Sequence, residues 1–220
     1  PWTDAQISPY LDVLKTTGCT HIEIATVMGH ANFVTVSNRW ADQIHNKGLK
    51  AVWRNAHQEM EGLYGVTQAV GVNRKPEQYW IDQAVGVIPQ LNVVSGDEWA
   101  IYPERTEGIF SDSTSFIQQT GLPGSYATFF INLHNACLAV LPTGVKIGLS
   151  AQNASEPLSG WMPASLINYA TKVVVDHYVD GNPTQFEADV RSLKTRYNKP
   201  VYVQEGAPSR FTTPTQAQIT

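Results

Sequence analysis

The sequence predicts an α/β protein on the plan of a (β/α)8 TIM barrel, with its 220 residues covering about strands two to seven. Three observations lead there. Six Val- and Ile-rich segments of strand length alternate with segments of helix length, the pattern of βαβ units and of parallel strands buried on both faces. No GxGxxG or GxxxxGK turn follows the first strand, so the phosphate-binding signature of a doubly wound sheet is missing. Four strands end, on the C-terminal side, in residues suited to chemistry, and a barrel gathers its active site from the strand ends on that face.

Each element has its own signal. Residues 7–18 read as a helix, with Ile7, Leu11 and Leu14 on one face and Gly18 as the stop. Residues 20–28 follow as a strand. Residues 33–48 read as a second helix despite a β-branched start, again ended by a glycine, and 49–57 as the next strand. A helix over 76–90 is opened by Pro76 in its first turn, and 91–99 is the next strand. Residues 113–144 hold one or two helices, in which His134 and Asn135 sit in an apolar run as core packing. The strand 145–152, a short helix over 165–173, the strand 173–179, a helix over 184–198 and the strand 200–206 complete the series.

The whole chain is expected to form one domain. It opens on a helix at Pro1 and closes in a helix start near Thr213, which fits a window cut from a longer barrel whose first and last strands lie outside it. An open parallel barrel would instead expose two unpaired edges.

Composition narrows the partners. Fifteen basic against nineteen acidic residues, with no basic run, give no electrostatic footprint for nucleic acid or for an anionic membrane. No stretch approaches the roughly 18 consecutive apolar residues of a membrane span. Cys19 and Cys137 are too few for a disulfide framework and lack metal spacing, so both read as buried free thiols. No G-x-S-x-G elbow is present.

The chemistry-bearing strand ends are Arg54, Asn55 and His57; Asp97, Glu98 and Trp99; Asp176, His177 and Tyr178; and Glu205. Arg54, a charge in an apolar strand, calls for a carboxylate partner. Period-two alternation places Val201, Val203 and Glu205 on one side of the last strand, so that the glutamate caps a barrel filled by the valines.

In "SGDEW" and "VYVQEGAP" the chain resembles the retaining glycoside hydrolases of the cellulase-like clan A, which are (β/α)8 barrels with one glutamate at the end of strand four and another at the end of strand seven. The resemblance implies that Glu98 is the general acid/base and Glu205 the nucleophile. Retaining hydrolysis needs two such carboxyls about 5 to 5.5 Å apart, one of them held protonated. It also implies that His177 or Tyr178 orients Glu205, and that His57 lines the site. Asp97 stands where that family usually has Asn, whose amide donates to the sugar 2-hydroxyl as an ionised Asp cannot. Trp99, Trp161 and Trp53 are candidate sugar platforms, the first two by expected loops, while mid-strand Trp53, like Trp80 on its helix, also has a core reading. Glu104 and Glu107 stand close enough in sequence to be alternative acids.

A carbohydrate substrate, no cofactor, no metal and an extracellular setting are what the resemblance implies. Two other readings stay open. One is a metal-dependent sugar isomerase-like barrel enzyme using Glu23, His57, Glu98, His177 and Glu205, although no HxxE or HxH pair occurs on a strand. The other is a barrel that binds carbohydrate, or serves a structural role, without chemistry.

Overall fold

The computed structural model describes residues 3–55, 77–100, 126–151, 168–178 and 182–207, and of residues 77, 126–128, 149–151, 175–178, 183 and 203–207 the backbone alone. The chain forms two compact units, Pro1–Lys146 and Ile147–Thr220. In the first, α1 (Asp4–Thr16), β1 (His21–Ile24), α2 (Phe33–Asn46) and β2 (Lys50–Trp53) are followed by α3 (Glu77–Val87), β3 (Glu98–Trp99) and α4 (Tyr126–Leu138). In the second, β4 (Lys146–Ala151, which begins on the last residue of the first unit), β5 (Lys172–Tyr178), α5 (Pro183–Tyr197) and β6 (Val201–Ala207) follow one another.

All the described strand pairs are parallel: β1 with β2 and β2 with β3 in the first unit, β4 with β5 and β5 with β6 in the second. Neighbours in space are neighbours in sequence. That succession is compatible with part of a β/α barrel, since a doubly wound sheet reverses its strand order partway.

Local sequence explains the elements. α2 buries Phe33, Ser37, Ala41 and Ile44, one stripe at helical spacing that outweighs its β-branched first turn. It ends at Gly48, whose φ of +71° is left-handed and whose N–H bonds the His45 carbonyl. α1 buries Ile7 and Leu11 and is tied to α2 by the Lys47–Asp12 ion pair and by Lys15 Nζ donating to the Lys47 carbonyl. α5 starts on Asn182, whose side chain accepts from the Gln185 N–H, and stops at Asn198, with φ at +50°.

Four expectations are corrected. The apolar run 91–99 is not one strand: only Glu98 and Trp99 pair in the sheet, because a turn at Gly96 (φ +89°) folds Asp97 N–H back onto the Val94 carbonyl. The first strand stops at Ile24, and 25–32 lead into α2 instead of extending it. The short helix expected over 165–173 ends sooner: Asn168 and Tyr169 are helical, Thr171 N–H then bonds the Ile147 carbonyl, and β5 begins at Lys172. In β6 the register slips by one residue: Val203 pairs with Val175 but Glu205 with Asp176, so the alternation through Val201, Val203 and Glu205 does not run unbroken past Gln204.

The core of the first unit is aromatic. Trp53 and Trp99, in register on adjacent strands, lie with ring centroids 6.3 Å apart, and α3 packs against α4, burying Trp80, Ala84, Phe129, Phe130 and Leu133. Both cysteines are free; Cys137 is buried, with burial pushing its thiol up to about 12 against a smaller pull from Trp99, whereas Cys19 is partly exposed. His134 is also buried, as expected of core. Its ring stacks on Phe130 at 3.9 Å, and Nδ1–H donates to the Phe130 carbonyl.

Burial drives the His134 imidazole down to about 4 from an ordinary 6.5, against a smaller upward pull from the Phe130 carbonyl. The folded protein thus refuses a proton that the unfolded chain accepts. The resulting stability is complete above pH 6.5 and is lost as pH falls toward 4. Urea titrations across that window are expected to show a loss of about 3 kcal/mol that is missing from His134→Leu. Equal slopes for the two proteins would sink the assignment.

Candidate active site

Glu23, Arg54, Glu98 and His21 lie on one face of the sheet of the first unit. Glu23, Val52 and Glu98 occupy one register row across β1, β2 and β3, and in a parallel ladder such residues share a face. Arg54 follows β2, held by its N–H to the Ile24 carbonyl, and its Nη1 donates to Glu23 Oε1 at 3.3 Å. Its carboxylate partner is thus Glu23 on the neighbouring strand. The Glu98 side chain is only 8% exposed, with Oε2 sealed from solvent, and Oε1 lies 3.8 Å from Nε2 of His21. That contact is an ion pair whenever the imidazole carries its second proton. Thr20 Oγ1 meets the other nitrogen, Nδ1, at 2.8 Å and fixes the ring.

Chemically, this is a glutamate almost out of water, on a face that also carries an Arg–Glu pair and an imidazole. Such a carboxyl can give or take a proton at a reacting group without competition from bulk solvent.

The preceding residue does something else. Asp97 is fully buried, and its carboxylate is ringed by protein donors: Oδ1 accepts from the Ala51 N–H and His45 Nε2, both at 3.0 Å, and Oδ2 from Trp53 Nε1 at 3.0 Å and the Val94 N–H at 3.1 Å. With both oxygens occupied, Asp97 is a structural hub, not the substrate ligand that its place beside Glu98 predicts. Trp99 is corrected as well. Its indole has no exposed surface and lies tilted against Trp53, so it offers no face to a sugar.

The remaining predicted residues belong elsewhere. Glu205 lies in β6 opposite Asp176, while His177 and Tyr178 lie in β5 opposite Gly206 and Ala207; their side chains lie outside the described residues. His57, Glu104, Glu107 and Trp161 lie outside them altogether. Among the described residues no three His, Cys, Asp or Glu side chains come together as a metal site, and no helix is long and apolar enough to cross a membrane.

Sequence reasoning missed His21 and His45. His21 opens β1 and gives no motif, although its alternation with Glu23 in "HIEIA" marks a polar strand face. His45 sits in the last turn of α2 beside buried Ile44, where nothing in the sequence reveals a carboxylate 52 residues away. Asn55, read as a strand-end polar residue, is a buried brace: its Nδ2 donates to the carbonyl and to the hydroxyl of Thr26, both at 2.9 Å.

Neither the models of known protein families nor the curated proteins contain a match to this chain.

If Asp97 is the hub, Asp97→Ala should destabilise the protein by about 3 to 5 kcal/mol in chemical denaturation, since it strands two buried and two part-buried donors at once. His45→Ala should cost distinctly less, because the other three donors keep their acceptor. A loss below about 1 kcal/mol for Asp97→Ala, the scale of one ordinary hydrogen bond, would contradict that role.

Proposed function

We propose that this chain is a retaining glycoside hydrolase acting on β-linked oligo- or polysaccharides, on a (β/α)8 barrel scaffold, with Glu98 as general acid/base and Glu205 as nucleophile. The single observation that carries the reading is the setting of Glu98. It is a nearly buried glutamate at the C-terminal end of a parallel strand, on a sheet face that also bears Glu23, Arg54 and His21. Glu205 supports it by its place in the sequence of β6, two residues short of the end of that strand, where parallel α/β folds carry their catalytic residues.

In this mechanism the protonated Glu98 carboxyl gives its proton to the glycosidic oxygen while Glu205 attacks the anomeric carbon, forming a glycosyl ester. Water, deprotonated by Glu98, then hydrolyses the ester and returns both groups to their starting states. Arg54, held by Glu23, would hydrogen-bond sugar hydroxyls at the mouth of the site. His21 would act as a positioning residue for the Glu98 carboxyl.

The two roles separate on substrates with different leaving groups. An aryl β-glycoside whose phenol leaves easily needs little protonation, so Glu98→Gln should keep much of its rate of ester formation there, read as a phenol burst that then stalls for want of the base, while losing about 10²- to 10⁴-fold on a β-linked disaccharide. Glu205→Gln should lose both activities, because no ester forms. A panel of aryl β-glucosides, xylosides, mannosides and galactosides alongside disaccharides reads this directly. Hydrolysis that is untouched in both variants would defeat the assignment. No hydrolysis of any substrate by the wild type would favour a barrel that binds carbohydrate without chemistry.

A further inference from the structure

We propose that a cleft at the C-terminal end of β1, formed by the β1–α2 connection and the first turn of α2, binds a single neutral sugar ring. Its identity as a sugar subsite rests on the hydrolase reading above, whereas its size and neutrality come from its walls. The cleft encloses about 300 Å³, at the lower end of small-molecule sites, which run from roughly 300 to 1,000 Å³. One ring fits that volume; a chain does not.

The described walls carry two kinds of surface. Val27, Phe33 and Val36 are apolar, Thr26, His30 and Asn32 are polar, and among the described residues no Asp, Glu, Lys or Arg lines the cleft. A phosphate or carboxylate ligand would find no fixed countercharge there. A purely apolar ligand would set the Asn32 amide against hydrocarbon, at a cost of order 1 kcal/mol or more if it loses its water. A pyranose satisfies both surfaces, because its C–H faces are apolar and its edge is a ring of hydroxyls.

The walls are also set before a ligand arrives. Thr26 is braced from two sides, by Nδ2 of the buried Asn55 and by the hydroxyl of the buried Ser37, and Phe33 is anchored in the stripe that α2 buries. Rigid walls reduce the ordering cost of binding. Asn32 occupies the N-cap position of α2 yet makes no capping bond with its side chain, so its amide is not committed to the helix. The placement suits a subsite. Ala25, the first residue of the connection, directly follows Ile24, which lies in register with Trp53 of β2, and Trp53 with Trp99 of β3. The cleft therefore opens just beyond the strand ends that carry Arg54 and Glu98.

The test is saturation-transfer NMR with methyl β-glucoside, methyl β-xyloside and methyl β-mannoside, none of which requires turnover. At least one should show transfer to the wild type and to Glu98→Gln alike. Asn32→Ala should weaken that binding by about tenfold, the effect of one or two lost neutral hydrogen bonds. Ala25→Trp, which fills the cleft from an exposed wall position, should abolish it. Binding with this pattern and no hydrolysis of any substrate would retain the cleft and discard the hydrolase reading. Hydrolysis with glycoside binding indifferent to both cleft variants would discard the cleft and retain the hydrolase. Absence of transfer from all three glycosides at millimolar concentration would overturn the proposal.

Discussion

One buried carboxylate organises the first unit. Asp97 has no exposed surface, and an ion so placed is tolerated only when its lone pairs are filled by donors. Here they come from three directions: His45 from α2, Ala51 and Trp53 from β2, and Val94 from the segment that leads into β3. The residue also works through its backbone, since its carbonyl accepts the N–H of Lys146 at the start of β4. Helix, strand and turn are thereby fixed to one point. Losing it would orphan several groups at once, whereas losing any one donor leaves the others paired.

That constraint sets the candidate acid. β3 has only two paired residues, too short a ladder to hold a side chain firmly by itself. The Asp97 side chain supplies what the ladder lacks, because Oδ1 takes the Ala51 N–H in the place of a strand carbonyl. Glu98 is consequently delivered opposite Val52, in the row of Glu23, and on the other side of the chain from the hub that holds it. Two adjacent acidic residues do opposite work. The first is saturated with donors and structural, while the second sits on a face with an imidazole and an Arg–Glu pair.

How much of this was legible in the sequence depends on range. Helices with a long stripe, such as α2, and the Val-rich strands declared themselves, because periodicity is a local property. Strand limits did not. The run 91–99 is apolar enough for a strand, yet Gly96 and Asp97 close a turn inside it, and only the tertiary partners of Asp97 make that turn worth forming. The slip after Val203 is likewise silent, since an inserted residue leaves an alternating pattern looking regular on its own strand and appears only against a partner. Trp99 was placed at a rim because it ends a strand. Its register opposite Trp53 sends it into the core instead. Glu98 was found because a carboxyl at a strand end is a sequence feature, while His21 and His45 act through space.

The Asp at position 97, which departs from the Asn that the resemblance would supply, follows from the same geometry. An asparagine has one acceptor oxygen and one donor amide. Put in the same place, its oxygen could serve one side of the hub, but its NH2 would face two of the donors from His45, Ala51, Trp53 and Val94, donor against donor in a dry interior. Only an acceptor on both branches fits four converging N–H groups. A carboxylate is that group, and the surrounding donors offset the desolvation of its charge. On the proposed hydrolase reading the cost would fall on recognition, since a residue committed to the core offers no amide to a substrate. Arg54 stands on the opposite face, and with five N–H donors and a carboxylate holding it in place, it is the residue that under the proposed hydrolase reading would supply those hydrogen bonds.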